Sequence, residues 1–184
     1  MKTLLARNLS QDRYLHILST MATSVELAKI HGLDEERAEI AALAHDVFRE
    51  LKAWQLLKLA KFYDYKPLDV EQNSPVLLHG PMAAYYLKKK WQVLDSEVLQ
   101  AIEFHTTGCP GLKPLGQVLF IADAVEPRRD YELREYFWQQ AKMNLDLACL
   151  LILQDQKYYF AQEGRELHPL SQLWLQELQE NQSA

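Results

Sequence analysis

Apolar residues return every three or four positions along nearly the whole of this chain, as in Leu15, Leu18, Ala22 and Val25 and again in Ile40, Leu43 and Val47. That spacing is the period of one helix face, and strict two-residue alternation is almost absent. A chain patterned this way buries its apolar residues by packing helices on one another, so the expected fold is all-α. With 184 residues, 48% of them hydrophobic, it is long enough for one substantial core. One domain is expected over 1–184, with its core at about 10–175 and a frayed tail at "ENQSA".

Turn and cap residues divide the pattern. A first helix over 10–31 stops at Gly32, where glycine supplies a left-handed cap, and Asp34 caps a second helix that starts with Glu35 and Glu36. A third helix is expected at about 51–63, followed by a polar, proline-containing connector over 64–75. Further helices are expected at 77–90, 95–106 and 114–126, the last with Pro114 in its first turn. A long helical region over 130–163 and a final helix after "HPL" at 168–170 complete the reading.

The net charge of −5 supplies no broad basic field, so a nucleic-acid polymer is not an expected partner. Cys109 and Cys149 make neither a zinc-finger spacing nor a disulfide framework. The apolar stretch in "MKTLLARNLSQD" is too short for a signal-peptide core, and "LACLLIL" at 147–153 is too short to span a membrane. A cytoplasmic location is therefore expected, and the oligomeric state stays open, a homodimer included.

Against the apolar background stand His16 in "RYLHIL", the pair His45 and Asp46 in "ALAHDVFREL", His79 in "LLHGP", His105 in "IEFHTTG" and Asp123 in "FIADAVEP". Any one of these histidines reads equally as a satisfied core residue or a cap. A buried aspartate, however, is costly unless it is paired or bound to a cation. Imidazoles and carboxylates delivered by facing helices are how helical bundles hold one or two metal ions, and a carboxylate has two oxygens with which to bridge them.

The ordered set, a histidine on the first helix, an adjacent His-Asp, two single histidines and a late aspartate, resembles the HD-domain metal-dependent phosphohydrolase superfamily. The phrases "RYLHILSTMATSVELAKIHGLDEERAEIAALAHD", "LLHGPMAAYYL", "AIEFHTTGCPG", "IADAVEPRRD" and "HPL" are similar to its YqeK-like branch of bacterial symmetrical diadenosine tetraphosphate hydrolases. The resemblance implies an all-α HD domain with a dinuclear site, iron by family habit, although manganese, zinc, cobalt or nickel suit the same donors. It implies His16, His45, Asp46 and Asp123 on one metal, and His79 and His105 on the other with Asp46 as bridge. Asp46, His79 and His105 are the catalytic assignments, and the reaction is cleavage of the dinucleotide to two ADP by a metal-activated water. Two positions depart from the branch: Arg49 where a lysine is common, and Ile17 where a serine often follows the first histidine.

Four phosphates also need donors outside the metals. Arg128 and Arg129 follow Asp123 on the same rim, and arginine suits bidentate phosphate contact. Arg13 lies on nearly the same helix face as His16, one turn earlier. Thr106, Thr107 and Gly108 offer hydroxyls and amides directly after His105, with Gly108 also suited to a helix C-cap, and His168 stands at a helix start where a cap and a substrate contact are both open. Each arginine reads equally as a solvated or surface-paired charge. Two other functions remain open: an HD-type hydrolase of mononucleotides or deoxynucleotides, and a non-catalytic module that binds a nucleotide or a protein partner.

Overall fold

The computed structural model describes residues 2–182, for Leu4 the backbone only. It is helical, with no strand among the described residues, as the apolar period requires. The helices in order are α1 (Lys2–Asn8), α2 (Gln11–Ile30), α3 (Glu35–Ala44), α4 (Ala53–Phe62), α5 (Asp69–Asn73), α6 (His79–Lys90), α7 (Ser96–Phe104), α8 (Pro114–Val125), α9 (Arg134–Met143), α10 (Leu145–Gln162) and α11 (Pro169–Gln182). A 3-10 turn over Pro75–Leu78 leads into α6. None of these helices is long and apolar enough to cross a membrane.

The α8 helix is the central beam, buried from Leu115 through Ala122 and packed by α2, α7 and α10. Alanine dominates the buried side of α3, with Ala38, Ala41, Ala42 and Ala44 all nearly inaccessible. Those small side chains let α2, α7 and α8 approach its backbone closely. Each large aliphatic residue buried here contributes about 1.5–3 kcal/mol, and Ile17, Leu27, Ile102, Leu119, Ile121 and Leu153 are all fully enclosed. Ile17 packs with Leu5 and Leu43.

Local chemistry explains the boundaries. Ser10 and Asp34 cap α2 and α3 by accepting from the Arg13 and Arg37 amides. Gly32 adopts φ +66°, the left-handed turn its position predicts.

Several boundaries differ from the expected ones. His45 and Asp46 follow α3 in a helical turn rather than lying within a continuous helix, and His105 likewise follows the end of α7. The connector over 64–75 contains α5. The helical region expected over 130–163 holds two helices, because Asn144 turns extended (φ −156°, ψ 118°) and its side chain accepts from the Leu147 amide to start α10. At the ends, α1 adds an ordered turn before residue 10. The last helix continues to Gln182, into the tail expected to fray, and Ser183 and Ala184 lie outside the described residues.

Candidate metal centre

Four imidazoles converge on two aspartates where α2, α3, α6, α7 and α8 meet. Each ring is held from behind by its Nδ1. His45, His79 and His105 reach the carbonyls of Ala42, Val76 and Ile102, three residues back in each case, and His16 reaches the Glu126 carboxylate at 3.0 Å. Carbonyl and carboxylate oxygens only accept, so Nδ1 carries the proton and each Nε2 presents its lone pair.

The Nε2 atoms face the two carboxylates in an ordered way. Asp46 Oδ1 lies 3.2 Å from His79 and 3.7 Å from His105, while Oδ2 lies 3.5 Å from His45 and 3.6 Å from His16. Asp123 Oδ1 is 3.0 Å from His16 and 4.0 Å from His45. The two oxygens of Asp46 thus face different pairs of imidazoles. Donor atoms of His16, His45 and Asp123, and of His45, Asp46 and His105, lie within 4.8 Å of one another, close enough to share a cation.

The donor chemistry fits a metal. The Nε2 atoms of His16 and His45 are buried without a hydrogen-bond partner. The His79 and His105 Nε2 atoms stand 2.9 Å apart, and with both protons on Nδ1 two lone pairs face each other. Cations held among these rings would satisfy the four lone pairs, and the acceptors behind the rings are the usual way a ligand imidazole is oriented. Burial opposes ionisation of Asp46 and Asp123. Nevertheless the His45, His105 and His79 rings around it hold Asp46 well below the usual carboxylate range, and His16, His45 and Arg129 do the same for Asp123. Burial pushes His105 down, towards the neutral form a ligand needs. It acts the same way on His45, where the Asp46 charge prevails and raises the group.

Gly80 permits the approach of α6 to α7. A Cβ there would lie 2.9 Å from the Ile102 and Glu103 carbonyl oxygens, so a side chain would push His79 and His105 apart.

The other sequence candidates divide. Arg13 Nη1 contacts Asp46 Oδ2 at 2.6 Å inside the site, not as a surface pair. Arg129 is tied to Asp123 through both its side chain and its main-chain oxygen, and Arg128 lies on the open rim, 3.8 Å from Asp12. Thr106 Oγ1 is 3.1 Å from His105 Nε2, whereas Thr107 and His168 do not touch the cluster. Gly108 has φ +61°, and a Cβ there would overlap the buried Trp174 ring, so its structural demand is steric. Arg128, Arg129, Tyr131, Gln156 and Tyr159 help line a cavity of about 750 Å³ that opens beside Asp123 and His105.

Sequence reasoning missed Glu126, which is 1% exposed and accepts from His16 Nδ1 and the Arg128 amide. The available signal was its place three residues after Asp123, on nearly the same helix face.

Residues 13–128 match the HD domain family. The chain belongs to that family. A protein of Halalkalibacterium halodurans named "Bis(5'-nucleosyl)-tetraphosphatase, symmetrical" is 34% identical over 164 residues, covering 88% of this chain and 86% of the relative. A Bacillus subtilis protein of the same name is 29% identical, covering 92% of each. The crystal structure of a predicted HD superfamily hydrolase involved in NAD metabolism from Clostridium acetobutylicum superposes with a TM-score of 0.94 at 32% identity, over 98% of this chain and 95% of that one. The expected all-α HD-domain architecture is therefore borne out, and the His-Asp pair of this HD domain lies at the centre of the donor cluster.

Proposed function

We propose that this chain, acting as one domain, hydrolyses diadenosine tetraphosphate symmetrically to two ADP at a dinuclear metal centre. His16, His45, Asp46 and Asp123 would hold one ion, and His79 and His105 the other, with Asp46 bridging. The observation that carries this reading is the division of the Asp46 oxygens between two pairs of imidazoles. The names of the Halalkalibacterium and Bacillus relatives support the choice of substrate.

Divalent ions held by these residues would supply a nucleophile near neutral pH and neutralise charge on the phosphoryl oxygens. The protein's own residues do the rest. Arg129, oriented by Asp123, and Arg128 on the rim offer guanidinium groups to the phosphate chain, and Arg13 holds its guanidinium against Asp46. Thr106 presents its hydroxyl beside His105. Tyr131 and Tyr159 wall the adjoining cavity, whose volume suits a nucleotide. Imidazole and carboxylate donors accept iron, manganese, zinc, cobalt or nickel, and resemblance to the YqeK-like branch favours iron.

The test is chromatography of the products after incubating the protein, loaded in turn with each of these metals, with diadenosine tetraphosphate. ADP as the sole product is expected. AMP with ATP would overturn symmetrical cleavage. No turnover with any of the metals would overturn the dinucleotide substrate in favour of a mononucleotide or of binding alone.

A further inference from the structure

The segment that carries His105 and Thr106 has no helix of its own between Phe104 and Pro114. Its conformation is set by what packs against it. Here α7 ends in a left-handed cap, in which the Gly108 amide donates to the Phe104 carbonyl at 2.7 Å and Gly108 takes φ +61°. His105 directly follows the last helical residue, so loosening of that cap moves its ring together with the Thr106 hydroxyl beside it.

The last helix, α11, grips this segment at three places. Ser171 Oγ, in a side chain 3% exposed, donates to the Thr107 carbonyl at 2.7 Å. The buried Trp174 ring fills the space that a Gly108 side chain would take and meets Phe120 of α8 edge-on, with centroids 5.0 Å apart. The Glu177 carboxylate accepts the Gly111 amide with both oxygens, at 3.1 and 3.0 Å. Residues spaced i, i+3 and i+6 step about 60° round a helix each time, so all three project from one side of α11. Core burial accounts for Trp174, as it does for Leu175 and Leu178. It does not account for Ser171 and Glu177, two polar side chains that both reach backbone groups of the same short segment.

We propose that this side of α11 is a brace that positions His105 Nε2 and the Thr106 hydroxyl, with Ser171 and Glu177 as positioning residues acting through the backbone of residues 107–111. The brace comes from beyond residue 128, where the HD match ends. That His105 shares an ion with His79 rests on the function proposed above; the brace itself does not.

Two measurements on the full-length chain test this. Amide hydrogen exchange of Gly108, followed by NMR without added metal, reports the cap that the brace holds. In Ser171→Ala/Glu177→Ala it should speed at least about tenfold relative to core amides such as Leu119, which report global opening. Manganese titration against a chromophoric chelator then separates positioning from a merely structural role. The ion that His105→Ala weakens more should bind about tenfold more weakly in the double variant, while the other stays within about twofold. Glu177→Gln, whose amide oxygen still accepts the Gly111 N–H, should weaken that ion less than Glu177→Ala does; the position is partly exposed, so neither change disturbs the interior. Gly108 exchange within about twofold of wild type in the double variant would overturn the brace, and so would equal weakening of both ions. Failure of the proposed function looks different: one ion or none in the wild type refutes the dinuclear reading, and Gly108 exchange then decides the brace alone.

Discussion

Glu126→Gln perturbs the support of one imidazole behind the candidate metal centre, together with the acceptor of the Arg128 amide. His16 is held by a carboxylate where His45, His79 and His105 are held by backbone carbonyls. A hydrogen bond to a charged group contributes about 1.5–3 kcal/mol and a neutral one about 0.5–1.5 kcal/mol, so neutralising Glu126 should weaken the support of His16 by about 1–1.5 kcal/mol. Because Glu126 is 1% exposed, solvent screens little of that difference. The loss corresponds to about 5–10-fold weaker binding of the ion that His16 would hold. Glu126→Ala leaves the buried Nδ1–H without an acceptor and should approach the upper end of the 10–100-fold range typical of residues that orient a metal ligand. Competition with a chromophoric chelator during manganese titration of the full chain measures this, with circular dichroism as the check on folding. The His16-side ion should weaken while the one facing His79 and His105 holds. Affinities within twofold of wild type for both ions, or equal weakening of both, would refute the argument.

Gly108→Ala combines a left-handed φ of +61° with a Cβ 1.9 Å from a Trp174 ring carbon; backbone strain and overpacking together should cost about 2–4 kcal/mol. Thermal unfolding should show the midpoint falling by several degrees, and a midpoint within one degree of wild type would contradict the steric account. Asp95 caps α7 and pairs with Arg37, whose hydrogen bond holds the Asp95 carboxyl below its ordinary range. A depressed carboxylate stabilises the fold above its unfolded pKa of about 3.9 and loses that contribution as pH falls through the folded value. Asparagine caps as well as aspartate, so Asp95→Asn should cost a few tenths to about 1 kcal/mol near pH 7 for so exposed a pair, and the difference in urea unfolding should shrink as pH falls below about 3.9.

The metal-donor candidates were readable as a set: histidine and aspartate are costly on apolar helix faces, and their number and order outweighed the core or cap reading that each histidine allowed alone. Glu126 did not stand out: in "VEPRRD" it sits among other polar residues, and only the fold buries it against His16. His168 was visible as a residue at a helix start, but only the fold shows it buried with its Nδ1 accepting the Leu170 amide. The break at Asn144 escaped the periodicity because apolar residues on both sides keep a helical rhythm, while a single side-chain acceptor is enough to restart a helix. Gly80 looked like any glycine beside a histidine until the α7 backbone was seen to pass 2.9 Å from its missing Cβ.

Helical class, the order of the main elements and the chemical types of the donors follow from the sequence alone, because hydrophobic period, caps and the cost of isolated polar residues are local properties of the chain. Only the tertiary structure decided that four Nε2 atoms point inward and that the two oxygens of Asp46 face different pairs of imidazoles. Those relations join residues far apart in the chain, and they depend on how closely the helices cross, which Gly80 and the alanines of α3 permit without announcing where the crossings will lie.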